Sequence, residues 1–268
     1  MSIDKLLELN AQGWVPGPDE TYSTFFTRIQ KTIEKQSSLK QEISIHFPDA
    51  GFPKKSPWLE IKDKLLSLCQ CIPTHAIIFY SNKKLPIWHG AATWTEEGIS
   101  VIQLKKGLQK GTYLGCYRKD DILLHEAVHV IRSAFKEPKF EEIIAYHLSL
   151  YPWRKYIGPL FHSSWESWLL IVLLFSAMLV PSILWAPALF LGYMLCRLVY
   201  HYIIFHKCLH TLSQCVGAKA YALIMRMSDK MIRHIARIKK ESIIDFLEKR
   251  GDLPLNALLA ALIRTWNS

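Results

Sequence analysis

DDILLHEAVHVIRSAFKEPKFEEIIAY, residues 120–146, is the stretch on which the reading of this chain turns. Its first half has helical spacing. Leu123, Leu124, Ala127, Val128 and Ile131 form an apolar majority, and Asp120 or Asp121 stands where a carboxylate caps the free amides of a first turn. KEPKF (136–140) interrupts the helix. Pro138 suits the first position of a new one, which runs through FEEIIAYHLSL to a break at Pro152. His125 and His129, four residues apart, project from one face of the first helix, close enough to share one ion. Glu126 adjoins His125, and Glu141 and Glu142 open the second helix.

Imidazoles at this spacing suit zinc. A catalytic zinc keeps three protein ligands and an open position for a water, whose pKa it lowers toward neutrality. Glu126 follows directly on the first histidine and turns toward that water position, as a general base and not as a ligand. One Zn2+ per chain is therefore expected. Strand patterns precede the helix: HAIIFY (75–80), IWHGAATWT (87–95) and GISVIQL (98–104). The last puts Ile99, Val101 and Gln103 on one side and Ser100, Ile102 and Leu104 on the other, and a glycine-punctuated loop (105–115) leads on to the helix.

HEAVH (125–129) and EIIAY (142–146) together resemble the HExxH metallopeptidases of the gluzincin group, over roughly residues 75 to 150. In that group the third ligand is a glutamate, followed three residues later by a small residue and four later by Asp or Asn. The resemblance implies that Glu142 is the third ligand and Ala145 the small residue. Tyr146 then stands in place of the acid or amide that orients a liganding histidine, and would have to do so from a longer arm. Glu141 is the rival ligand; otherwise it contacts a ligand or supplies surface charge. The resemblance further implies an α+β, zincin-like domain whose edge strand pairs with extended substrate. GISVIQL is suitably placed for that strand, with HGAATW beside it.

From Trp168 to Cys196 there is no charged residue, and apolar character resumes after Arg197 as far as Phe205. A run of about 20 apolar residues crosses a bilayer, so this one allows two passes if the helices are short or tilted. Pro181 and Pro187 flank the interruption. A transmembrane hairpin at 165–206 is expected; one kinked span, or a hairpin buried in a soluble core, are the alternatives. Basic residues flank it on both sides, Arg132, Lys136, Lys139, Arg154 and Lys155 before and Lys207, Lys219, Arg226 and Lys230 after, which places both flanks in the cytoplasm. The net charge of +10 then suits anionic headgroups. No nucleic-acid partner is expected, since zinc-finger spacing, a recognition helix and basic runs interleaved with aromatics are all missing. The segment MSIDKLLELNAQGW does not read as a signal peptide. Charges at Arg118, Lys119, Asp120, Asp121 and Arg132 leave too short an uncharged stretch for HEAVH itself to lie in a spanning helix.

The expected organisation is an N-terminal helical region (1–57), the zincin-like domain (58–160), the hairpin (165–206) and amphipathic C-terminal helices (207–268). Helices are expected over Tyr22–Ile45 and from Trp58 to Cys71, the latter with Leu59, Leu65, Leu66 and Leu68 on one side. Cysteines 69, 71, 116, 196, 208 and 215 show no framework spacing and read as reduced thiols. His89 either lines the cleft or makes a local hydrogen bond. His201, His206 and His210 form an interfacial belt in preference to a second metal site, and Trp165, Trp168 and Trp185 are boundary anchors. Tyr113, Tyr117, His147 and Tyr151 are the candidates for stabilising an oxyanion. These readings describe a membrane-anchored zinc endopeptidase acting on a peptide or protein substrate. The alternative is a non-catalytic zincin-fold scaffold or binding module in the membrane.

Overall fold

Ser2 starts the first helix, α1 (Ile3–Ala11), by accepting a hydrogen bond from the Lys5 amide, and α1 buries Leu6 and Leu9. The structure is a computed structural model describing residues 2–267 except 97, 116 and 250, so the thiol expected at Cys116 lies outside the described residues. A capping box of Thr21 and Thr24 opens α2 (Tyr22–His46), where the periodicity places it. The helix expected from Trp58 to Cys71 is broken at Ile61 into α3 (Pro57–Glu60) and α4 (Lys62–Cys69). Its buried stripe is Trp58, Ile61, Leu65 and Cys69, while Leu59, Leu66 and Leu68 are exposed. The three-and-four spacing, not the number of leucines, decides which side turns inward.

Strands β1 (Ile77–Tyr80), β2 (Ala91–Glu96) and β3 (Ile99–Leu104) form a mixed sheet in the order β1-β3-β2, with β1 parallel and β2 antiparallel to β3. The alternation read from GISVIQL holds. Ile77, Phe79, Ile99 and Val101 pack with Ile43 of α2, and Ile78, Tyr80, Ile102 and Leu104 face the main core. The expected edge strand is corrected. GISVIQL is the central strand, buried at every position of β3, and the edges are β1 and β2, of which β2 borders the cleft. The more polar AATWTE tolerates the edge that faces the cleft, while the apolar β1 edge is partly covered by the Gly51–Tyr80 bridge.

A short hairpin of β4 (Thr112–Tyr113) and β5 (Tyr117–Arg118) leads into α5 (Lys119–Ile131). Ile122, Leu123, Leu124, Ala127, Val128, Val130 and Ile131 bury α5 on nearly every side, making it the central helix. No side chain caps it. Asp120 and Asp121 lie inside its first turn, not before it, which corrects the expected capping. Asp121 is instead buried, accepting hydrogen bonds from the Leu150 amide (2.8 Å) and Arg154. Helices α6 (Pro138–His147) and α7 (Pro152–Ile157) each begin with proline.

Helices α8 (Ser164–Leu179) and α9 (Trp185–Val216) form a hairpin around a tight turn at 180–184. Its apolar residues point outward: Phe175, Met178, Leu179, Leu184 and Leu189 are all more than 60% exposed, the reverse of a soluble core. The segment Pro181–Ile224, containing α9, is long and apolar enough to cross a membrane. With 16 residues, about 24 Å of helix, α8 is shorter than a hydrocarbon core of about 30 Å. Of the expected pair of spans, only the α9 segment has the length and apolarity to cross, and α8 falls short. Past the apolar run, α9 continues unbroken and sends Phe205, Cys208 and Leu212 into the main core. There they join residues from α10 (Ala220–Ile224), α11 (Asp229–Ile235), α12 (Ser242–Glu248) and α13 (Pro254–Asn267). The fully buried Arg226 binds Asn10 Oδ1 (2.6 Å) and the Cys69 carbonyl (2.9 Å), linking the two ends of the chain. The described cysteines are free.

Candidate metal centre

On α5, positions 125 and 129 are the part of the helix that the core leaves open, and both imidazoles point toward α6. Their Nε2 atoms are 3.1 Å apart, and Glu142 places Oε2 3.7 Å from that of His125 and Oε1 3.7 Å from that of His129. Ligand atoms about 2.0–2.1 Å from a tetrahedral zinc lie about 3.3 Å from one another, so the spacing suits one such ion. Among the described residues this is the only group of three or more His, Cys, Asp or Glu side chains so poised. His201 and His206 do not form a second one: the former faces His162 and Phe140, and the latter stacks on Tyr202.

The two adjacent glutamates divide. Successive helix positions point about 100° apart, and while Glu142 faces both Nε2 atoms, Glu141 accepts a hydrogen bond from the far side of His129, Nδ1 to Oε1, at 2.6 Å. A carboxylate on the outer nitrogen of a liganding histidine fixes its tautomer and raises its basicity. Tyr146 does not supply the equivalent contact to His125. Its ring meets the His125 ring edge-on at 4.4 Å, and His125 Nδ1 has no hydrogen-bond partner among the described residues. Gly158 makes room for this tyrosine, since a Cβ there would lie 2.6 Å from the Tyr146 ring.

Glu126 lies beside the pair and accepts a 2.6 Å hydrogen bond from Thr93 of β2. Thr93 pairs across the sheet with Ile102 and so shares its α5-facing side. Arg154 completes the floor. Its guanidinium stands over the rings of Tyr117 (5.3 Å) and Tyr146 (5.5 Å) and pairs with buried Asp121, tying α7 to α5. Between β2 and the two helices runs a cleft of about 650 Å³, bordered also by Trp88, His89 and Lys136.

Of the oxyanion candidates only Tyr117 borders the cleft, and its hydroxyl is committed to the Trp88 carbonyl at 3.0 Å. Tyr113 binds the Ile87 carbonyl, His147 packs among Phe205, His206 and Tyr221, and Tyr151 lies off the cleft wall. Thr93, Asp121 and Arg154 escaped the sequence reading. Their partners lie about 30 residues away along the chain, and only the alternation of β2 carried a hint, for Thr93.

The electrostatics of the centre favour a cation. Burial lowers His129, but its hydrogen bond to Glu141 and the charges of Glu142 and Glu126 outweigh that and raise it to about 10. Burial and the neighbouring His129 push His125 well below its usual value. Burial also raises Glu126 and Glu142. Three carboxylates around two imidazoles thus favour one positive charge in the centre.

Comparison with protein-family models, with curated proteins and with solved structures finds no match for this chain.

Proposed function

We propose that this chain is a membrane-anchored zinc-dependent endopeptidase with a zincin-like domain over residues 58–160. The observation that carries the reading is the convergence of His125, His129 and Glu142 at zinc-binding spacing, with Glu126 beside them at the wall of a cleft. His125, His129 and Glu142 would hold the ion. Bound zinc supplies a water of lowered pKa and polarises the peptide carbonyl. Glu126 takes the proton of the attacking water and passes it to the leaving amide nitrogen. Burial raises its carboxyl, which strengthens it as a proton acceptor, while Thr93 fixes its direction. Glu141 orients His129. The outer edge of β2 takes an extended peptide by main-chain pairing. The α8–α9 hairpin anchors the chain in lipid, and its basic flanks favour a cytoplasmic side for the catalytic domain.

The test is Glu126→Gln in the full chain. It is expected to keep one zinc and to lose hydrolysis by at least a hundredfold; cleavage at the wild-type rate overturns the mechanism. The competing reading, a non-catalytic zincin-fold scaffold, has the unpartnered Nδ1 of His125 in its favour. A cellular phenotype that tolerates Glu126→Gln but not loss of the hairpin would support it.

A further inference from the structure

The two charged residues that bracket the apolar run meet each other. Glu166, in the first turn of α8, binds Arg197 of α9 through both oxygens, at 2.5 and 2.9 Å. Arg197 also donates to the Leu160 carbonyl (3.1 Å), and Glu166 accepts from the His162 amide (2.8 Å). This paired, hydrogen-bonded charge marks one level of the hairpin, and everything beyond it is free of charge. From that level to the turn, each arm is roughly 20 Å of helix, about two thirds of a hydrocarbon core of about 30 Å.

The turn itself has no polar anchor except Ser182. Leu179 (83% exposed), Val180, Leu184 and Trp185 crown the tip, and a tip that emerged into water on the far side would expose all four with no charged residue to hold it there. The base is built differently. Helix α7 and the turn after it lie at 81° to α8, which makes α7 parallel to a bilayer that the hairpin enters end-on. α7 exposes Trp153, Tyr156 and Ile157 and buries Arg154 on its opposite side. Trp165, Trp168 and Tyr200 are exposed near the same level, and Lys139 and Lys155 are at the base. Lys139 is placed there by its carbonyl's contact with His162, and Lys155 by its carbonyl's hydrogen bond from Tyr202. Aromatic rings and lysines at one level are what a headgroup layer selects.

We infer that the α8–α9 hairpin enters the bilayer from one face and ends inside the hydrocarbon, with α7 lying in the headgroup layer, so that the chain is anchored on one side of an anionic phospholipid membrane without crossing it. The partner of this surface is lipid. The inference does not depend on the peptidase reading.

The test uses the full chain in vesicles of phosphatidylcholine with a minority of phosphatidylserine. A fluorophore is attached at Ser182→Cys, with the unsubstituted chain labelled in parallel as background. Lipid carrying a nitroxide deep in its acyl chain is expected to quench the signal severalfold, and iodide outside or trapped inside the vesicle to leave it unchanged. Quenching by trapped iodide would mean that the hairpin crosses, and quenching by external iodide that it lies off the membrane. Silence to both iodide and nitroxide would mean that a second copy covers it. Each of these overturns the inference. Ser182→Lys is the second variant. At the apolar tip it is expected to abolish association that survives a high-salt wash, with the helical circular dichroism preserved; unchanged association would point to a tip in water.

Discussion

His129 sits between two carboxylates that do different work, Glu142 on its Nε2 side at 3.7 Å and Glu141 on its Nδ1 side at 2.6 Å. Removing a ligand costs more metal affinity than removing its support. Glu142→Gln is therefore expected to abolish stoichiometric zinc in the purified chain, and Glu141→Gln to weaken it by about 10–100-fold, both read by competition with a chromogenic chelator. Equal losses would mean that the two side chains share the ion. Gly158→Ala tests the third neighbour. Its Cβ would drive the Tyr146 ring off the edge of His125, so zinc affinity should fall in Gly158→Ala and should not recover when Tyr146→Phe is added, because the ring carbons that the Cβ meets remain; recovery would show that the phenol oxygen is what matters.

At the scale of elements, two contacts hold the helices around the centre. Arg154 and Asp121 form a buried pair between α7 and α5, and removing one partner of such a pair costs about 3–5 kcal/mol. Arg154→Met is expected to lower chemical-denaturation stability by that order. Near the start of β1, His75 stacks on Trp14 at 3.8 Å and lies in a buried joint between α1 and β1. Burial is the main cause that lowers its pKa from 6.5 to about 4. The folded state thus binds its proton more weakly than the unfolded chain. Stability attributable to His75 is intact above pH 6.5 and is lost as pH falls from there to about 4, by up to about 3 kcal/mol. His75→Phe should flatten the stability profile in that window, and a profile of unchanged slope would show that another group sets it.

For the whole molecule, one helix joins two environments. The first half of α9 presents many large apolar side chains to the outside, and its second half lies in the core shared by α1, α5, α6 and α13. Metal and membrane should then act separately on the protein. A zinc ion held by His125, His129 and Glu142 would link α5 to α6 and bind the folded state alone, so a chelator is expected to lower the melting temperature by several degrees, in proportion to the logarithm of metal affinity. Vesicle association rests on the apolar hairpin and should not change. Co-loss of membrane association on chelation would show that the centre and the anchor fold as one unit.

Much of this was legible in the residues themselves. The four-residue spacing of His125 and His129, Pro138 as a helix start, the alternation of GISVIQL and the charge-free run from Trp168 to Cys196 are local patterns, and local geometry follows from them directly. What the chain could not disclose is which distant segments meet. Glu141 and Glu142 are neighbours on one turn, and only the packing of α6 against α5 assigns them to different histidine nitrogens. The edge position of β2 depends on β1 taking the other side of β3, a choice made by two sheet faces and not by one strand's pattern. Thr93 and Arg154 reach the centre from elements far away in sequence, and the pairing of Glu166 with Arg197 fixes where the charge-free part of the hairpin begins on both arms, which hydropathy alone does not show. Periodicity belongs to the single element, whereas partners are chosen by the burial of several faces at once, and that choice exists only in the folded chain.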